Sequence, residues 1–155
     1  MRRNQRSAFT LVEIMVVVVI IGLLAALAIP ALNRVKHRSQ ISRFANDLRV
    51  FSQGLETMML EIGALPGDPG SGSLAGGHAQ LGEYIKASTS LGGVWDIDSG
   101  DFGVRCVVGV DFGSSPSATE LASLIDVDAL IEDSNLETRA FRGFESNRRG
   151  YLVLE

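Results

Sequence analysis

Cysteine is all but missing from this 155-residue chain; the single one, Cys106, excludes any disulfide within it. Cysteine pairing therefore says nothing about compartment, and the alternation in "FGVRCVVGV" makes Cys106 a strand residue. Histidine is nearly as scarce. His37 sits in a basic helical stretch, and His78 lies in a Gly-rich segment with no second histidine or cysteine near it, which argues against a metal site there. The chain has no Gly-x-Ser-x-Gly elbow, phosphate-binding glycine loop or Cys-x-x-Cys pair, and Ser114 and Ser115 have no base near them. An enzyme is not expected.

Charge is missing by region rather than overall. No acid precedes residue 9, where Arg2, Arg3 and Arg6 stand, and no charge of either sign occurs from Ile14 to Leu32. Basic residues return at Arg34, Lys36, Arg38, Arg43 and Arg49, against Asp47 alone. From Val50 onward only 6 basic residues face 16 acidic ones, a balance of −10. Nucleic acid is therefore not an expected partner, because phosphate binding needs a basic face.

What is present is a long apolar run, "SAFTLVEIMVVVVIIGLLAALAIP". Its 19 uncharged residues, 14 to 32, span roughly 28 Å as a helix, about the hydrocarbon thickness of a bilayer. A cleaved secretory signal has a shorter apolar core with small residues at its far end. Here the small residue, Ala8, lies before the run, so the run is expected to be kept as a membrane-spanning helix. The arginines before it and Arg34, Lys36 and Arg38 after it nearly balance, so charge alone does not orient it.

Glu13 stands near the start of this run. An acid at mid-membrane is unfavourable by about 2.5–3.5 kcal/mol, and by less near an end. One account leaves Glu13 ionised at the headgroup level. The other gives it a positive partner on a neighbouring chain: a cut after Ala8 would leave Phe9 with a free ammonium four residues from Glu13. Side-by-side helices, one shifted along the other, would then pair amine with carboxylate.

The stretch "AFTLVEIMVVVVIIGLLAALAIPAL", after the basic leader "MRRNQRSA", resembles the type IV pilin superfamily, including type II secretion pseudopilins. The resemblance implies a membrane prepilin peptidase that cuts before Phe9 on the cytoplasmic side and methylates the new N-terminus. It implies that Glu13 registers each subunit against the N-terminus of the next, and that Pro30 is the family's helix-breaking proline. It implies a single-pass protein of the bacterial inner membrane, N-terminus in the cytoplasm and head in the periplasm. From there, with an inner-membrane assembly platform and other pilin subunits as partners, it would enter a filament. The family usually has Gly before the cut, where this chain has Ala8. If Ala8 blocked processing, the chain would remain an uncut signal-anchor protein whose outer domain binds a ligand or partner. The missing cysteine pair argues against the disulfide-closed loop of many adhesive pilins and leans toward a type II secretion pseudopilin. The retained Glu13 argues for a subunit added along the filament.

Gly22, Ala25, Ala26 and Ala28 let helix backbones approach closely, with Gly22 and Ala26 in small-xxx-small spacing; ordinary membrane composition is the alternative. Pro30 lacks a donor and is expected to kink or locally melt the helix. Beyond the basic stretch, Ile41, Phe44, Leu48, Phe51, Leu55, Met58 and Ile62 recur every three or four residues, an apolar stripe on one helix face. That stripe suits either a coiled coil or packing on a sheet. The helix should end near Gly63, with Pro66 blocking continuation. Residues 63–80 read as an extended loop, and "QLGEYIKAS" as one or two helical turns. "GGVWDI" and "FGVRCVVGVDF" read as two antiparallel strands around a "DSGD" break. "SATELASLIDVDALIED" reads as a helix with Ser117 and Glu120 as a capping box, an apolar face from Leu121 to Ile131, and its acids on a solvated face. "GYLVLE" reads as a last strand, and "AFRGF" is ambiguous.

The expected organisation is a leader (1–8), a transmembrane and assembly helix (9–32), its amphipathic continuation (33–62) and a globular head (63–155). The fold class is α+β and pilin-like, a long N-terminal helix packed on a small antiparallel sheet with a second helix. Asp96, Asp98 and Asp101 in "WDIDSGD" offer three carboxylates to a calcium ion. Turn chemistry favours Asp and Gly there for local reasons, so a simple hairpin tip is preferred over a metal site, and the stretch lacks the length and terminal Glu of an EF-hand.

Overall fold

The computed structural model describes residues 10–63, 87–99, 106–131, 136–137, 140–144 and 148–154. Among these, helix α1 runs from Leu11 to Ile62, β1 is Val94–Asp98, β2 is Cys106–Asp111, helix α2 is Ala118–Ile131, β3 is Phe141–Phe144 and β4 is Arg149–Leu154. The chain divides into two compact units, residues 1–38 and 39–155. The leader, Phe9, the loop from residue 64, residues 80–86 of the expected turns and Asp101 lie outside the described residues.

The first unit holds the apolar part of α1. Its large hydrophobic side chains lie open, from 50% exposed at Val17 to 76% at Leu27. The helix is long and apolar enough to cross a membrane. It also continues without a break through Pro30. The local melting expected there is absent, because a proline removes only one ladder bond and the turns on both sides keep theirs.

In the second unit the stripe of α1 is buried as its spacing predicts. Ile41, Phe44, Leu48, Phe51, Leu55 and Met58 all sit in the core. They pack on a sheet rather than on another helix. Trp95 of β1 stacks on Phe44 with ring centroids 5.2 Å apart and nearly parallel planes, and meets Phe51 at 5.4 Å with tilted planes. The helix stops where its sequence says it should: Gly63 takes φ +69°, a left-handed conformation that suits glycine, and its N–H reaches the Met59 carbonyl at 2.9 Å.

The four strands pair antiparallel in the order β1-β2-β4-β3. The ambiguous "AFRGF" thus supplies an edge strand, too short for periodicity to reveal, and Gly143 N–H bonds to the Leu136 carbonyl at 2.8 Å. Period-two alternation gives the sheet two unlike faces. Trp95, Ile97, Cys106, Val108, Val110, Phe141 and Leu154 belong to the apolar core with α1 and Leu124 and Val127 of α2. Asp96, Asp98, Asp111, Arg149 and Tyr151 occupy the other face.

Helix α2 starts at the expected capping box: Ser117 N–H donates to Glu120 Oε2 at 2.7 Å and Glu120 N–H to Ser117 Oγ at 3.3 Å. Its inner face departs from the expected one. Ser123 and Asp128 are buried beside Leu124 and Val127, whereas Ile125 and Leu130 are 39% and 51% exposed. The acids of this helix therefore do not all lie on a solvated face: Asp126 is exposed and Asp128 is not.

Candidate assembly surface

At the start of α1, Thr10 and Glu13 form a reciprocal cap. The Thr10 N–H donates to Glu13 Oε2 at 2.8 Å, the Thr10 hydroxyl donates to the same oxygen at 2.9 Å, and Glu13 N–H donates back to Thr10 Oγ1 at 3.3 Å. This is the capping box Thr-x-x-Glu, which satisfies orphan donors at a helix N-terminus and sets an acid where the helix dipole favours it. The sequence carried that signal in "TLVE", and attention to the charge of Glu13 alone missed Thr10. Glu13 thus has a local partner within its own chain. The cap also fixes where the carboxylate sits, at the first turn of α1. Ala8 and Phe9 lie outside the described residues.

Gly22 lies on an open stretch of α1. A Cβ built there would meet no atom within 4 Å. Around it Ala26, Ala28 and the large apolar side chains are exposed. None of the described residues covers this surface.

The calcium candidates divide. Asp101 lies outside the described residues, while Asp96 and Asp98 are buried in β1 rather than at a hairpin tip. Arg149 lies among the carboxylates: its Nη1 is 3.2 Å from Asp98 Oδ2 and 3.9 Å from Asp96 Oδ2, and its Nε is 3.2 Å from Asp111 Oδ2. Arg148 Nε adds a contact to Asp111 Oδ1 at 3.3 Å. The Tyr151 hydroxyl donates to Asp96 Oδ2. Asp96, Gly109 and Tyr151 are cross-strand partners in one row, so the phenol crosses over Gly109 to reach the carboxylate. A side chain at Gly109 would strike the Gly150 carbonyl, which is why glycine stands there. Burial, then the bond to Asp96, raises the Tyr151 pKa well above its ordinary value.

The pairing of distant acids and arginines could not be read from the sequence, where Asp98 and Arg149 stand 51 residues apart. Among the described residues no group of three His, Cys, Asp or Glu side chains is arranged to hold a metal ion. Cys106 is buried, and burial, reinforced by Asp98, pushes its pKa up to about 11. The thiol is thereby kept protonated and inert.

Comparison with known proteins adds three findings. Residues 3–29 match the family model of the prokaryotic N-terminal methylation motif. The type IV major fimbrial protein FimA of Dichelobacter nodosus is 32% identical over 139 residues, covering 84% of this chain and 82% of that protein. The type II secretion system core protein G of Pseudomonas aeruginosa is 39% identical over 66 residues, 43% of this chain and 46% of that protein. No solved structure matches significantly.

Proposed function

The chain belongs to the type IV pilin superfamily and is a structural subunit of a filament, not an enzyme; from that premise we propose how it is processed and assembled. Prepilin peptidase cuts between Ala8 and Phe9 and methylates the Phe9 amine. The apolar half of α1 holds the subunit in the inner membrane, N-terminus inward, until the assembly platform moves it into the filament. There Glu13 meets the Phe9 amine of a neighbour, and the small residues around Gly22 let helices pack closely.

The observation that carries this reading is an acid fixed by Thr10 at the mouth of an apolar helix that the described residues leave bare. An unburied helix of this kind is stable only in lipid or among other helices. A fimbrial relative matches through most of the head, which supports a pilus-like filament. The lone Cys106 supports a second reading, a type II secretion pseudopilus, because a disulfide-closed loop is impossible.

The N-terminal mass of the protein, co-expressed with prepilin peptidase, tests processing. A start at Phe9, methylated or not, is expected; a start at Met1 beside an active peptidase would establish the uncut anchor instead. Glu13→Ala should insert in the membrane normally and fail to enter filaments. Normal incorporation of that variant would remove Glu13 from assembly.

A further inference from the structure

Arg38 closes the first compact unit, and the last turns of that unit carry charge of one sign only. Arg34, Lys36 and Arg38 are all exposed, and none of them makes an ion pair among the described residues. Each residue turns the helix by 100°, so Arg34 and Arg38 stand one above the other on one face, about 6 Å apart along the axis, with Lys36 on the far side. Like charges at this spacing weaken a helix slightly. No acid offsets them: the positions three and four residues from either arginine hold Pro30, Ala31, Val35, His37, Ile41 and Ser42. The next acid along α1 is Asp47, nine residues past Arg38. Two guanidinium groups held together without a counter-charge suit one shared anion, and their planar forks match phosphate oxygens.

Their place on the helix says which anion. Counted from Leu32, the end of the uncharged run, Arg34 lies about 3 Å and Arg38 about 9 Å further along the axis. The polar layer on each side of the hydrocarbon core is roughly 5–8 Å thick. The Cα–Cβ bonds of a helix tilt toward its N-terminus, so both long side chains lean back toward the apolar segment and into that layer. A zwitterionic lipid carries its own cation beside its phosphate; an anionic one does not. We propose that Arg34 and Arg38 clamp the phosphodiester of an anionic phospholipid at the C-terminal end of the membrane segment, while Lys36 adds only diffuse attraction. The proposal rests on the membrane insertion of the apolar half of α1 put forward above.

The test uses the full-length chain in phosphatidylcholine vesicles holding a trace of spin-labelled phosphatidylglycerol or spin-labelled phosphatidylcholine. The motionally restricted fraction of each label measures the preference of the chain for the anionic lipid. Wild type should prefer phosphatidylglycerol by about fivefold, the effect of roughly one well-placed basic residue. Arg34→Gln or Arg38→Gln should each bring the preference below about twofold, and the double variant should fall hardly further, because a clamp needs both arms. Lys36→Gln should keep at least half of it. Equal losses from all three single variants would assign the lipid to diffuse surface charge and overturn the clamp. A preference that survives both arginine variants would overturn it too, and would move the contact to the leader arginines. Inorganic phosphate that displaces the label, at an ionic strength where chloride does not, would make this a site for free anions and overturn the lipid assignment. A wild-type chain that floats with the vesicles but prefers neither lipid overturns the clamp alone; one that does not float with them overturns the membrane reading itself.

Discussion

Tyr151 is held from three directions: it is fully buried, its hydroxyl donates to Asp96, and its ring crosses Gly109. Tyr151→Phe keeps the ring and removes only the donor, leaving a buried carboxylate short of a partner. The expected loss is about 1–3 kcal/mol in denaturant unfolding. A change under about 0.5 kcal/mol would mean that Arg149 alone satisfies Asp96. At this scale the sequence was legible where a signal was local and hidden where it was not. "TLVE" and "SATE" both spell out a helix start within four residues. The partners of Asp96 and Asp98 come from a strand more than fifty residues later, so spacing offered only a hairpin tip or an ion-binding loop.

Helices were more legible than strands because their signals repeat. The stripe from Ile41 to Met58 predicts its own burial, and Phe51, packed against Trp95, tests it. Phe51→Ala should destabilise the head by about 3–5 kcal/mol, while Gln53→Ala two positions on should stay within about 0.5 kcal/mol. Helix α2 carries a pH signature. Its Glu120 carboxylate accepts from the Ser117 backbone and lies below its ordinary pKa of 4.5 for that reason. A lowered folded pKa adds stability above the unfolded value and loses it as pH falls through the folded one. Wild type should therefore unfold at higher denaturant than Glu120→Gln near pH 7, with the gap closing below about pH 4. A gap unchanged down to pH 3 would assign the effect to something other than the carboxylate. The inner face of this helix misled the sequence reading because Ser123 bonds back to the Thr119 carbonyl at 2.9 Å, which lets a polar residue face inward.

For the whole molecule, the division after residue 38 predicts that residues 39–155 fold without the apolar segment. A chain beginning at Ser39 should be soluble and unfold cooperatively, and aggregation with no cooperative transition would show that the head needs the first part of α1. The general α+β form was legible because one long helix and a few β-branched strands leave few alternatives. The order β1-β2-β4-β3 was not, since it depends on an edge strand of four residues. The exposed apolar half of α1 has a further consequence. If lipid and a bundle of sibling helices are the two solvents for this surface, as proposed above, growth of the polymer involves a partition of the helix between them. Membrane composition, and not only subunit supply, would then set how far that partition runs. A bilayer that dissolves this helix better shortens the fibre, and one that fits it poorly lengthens it.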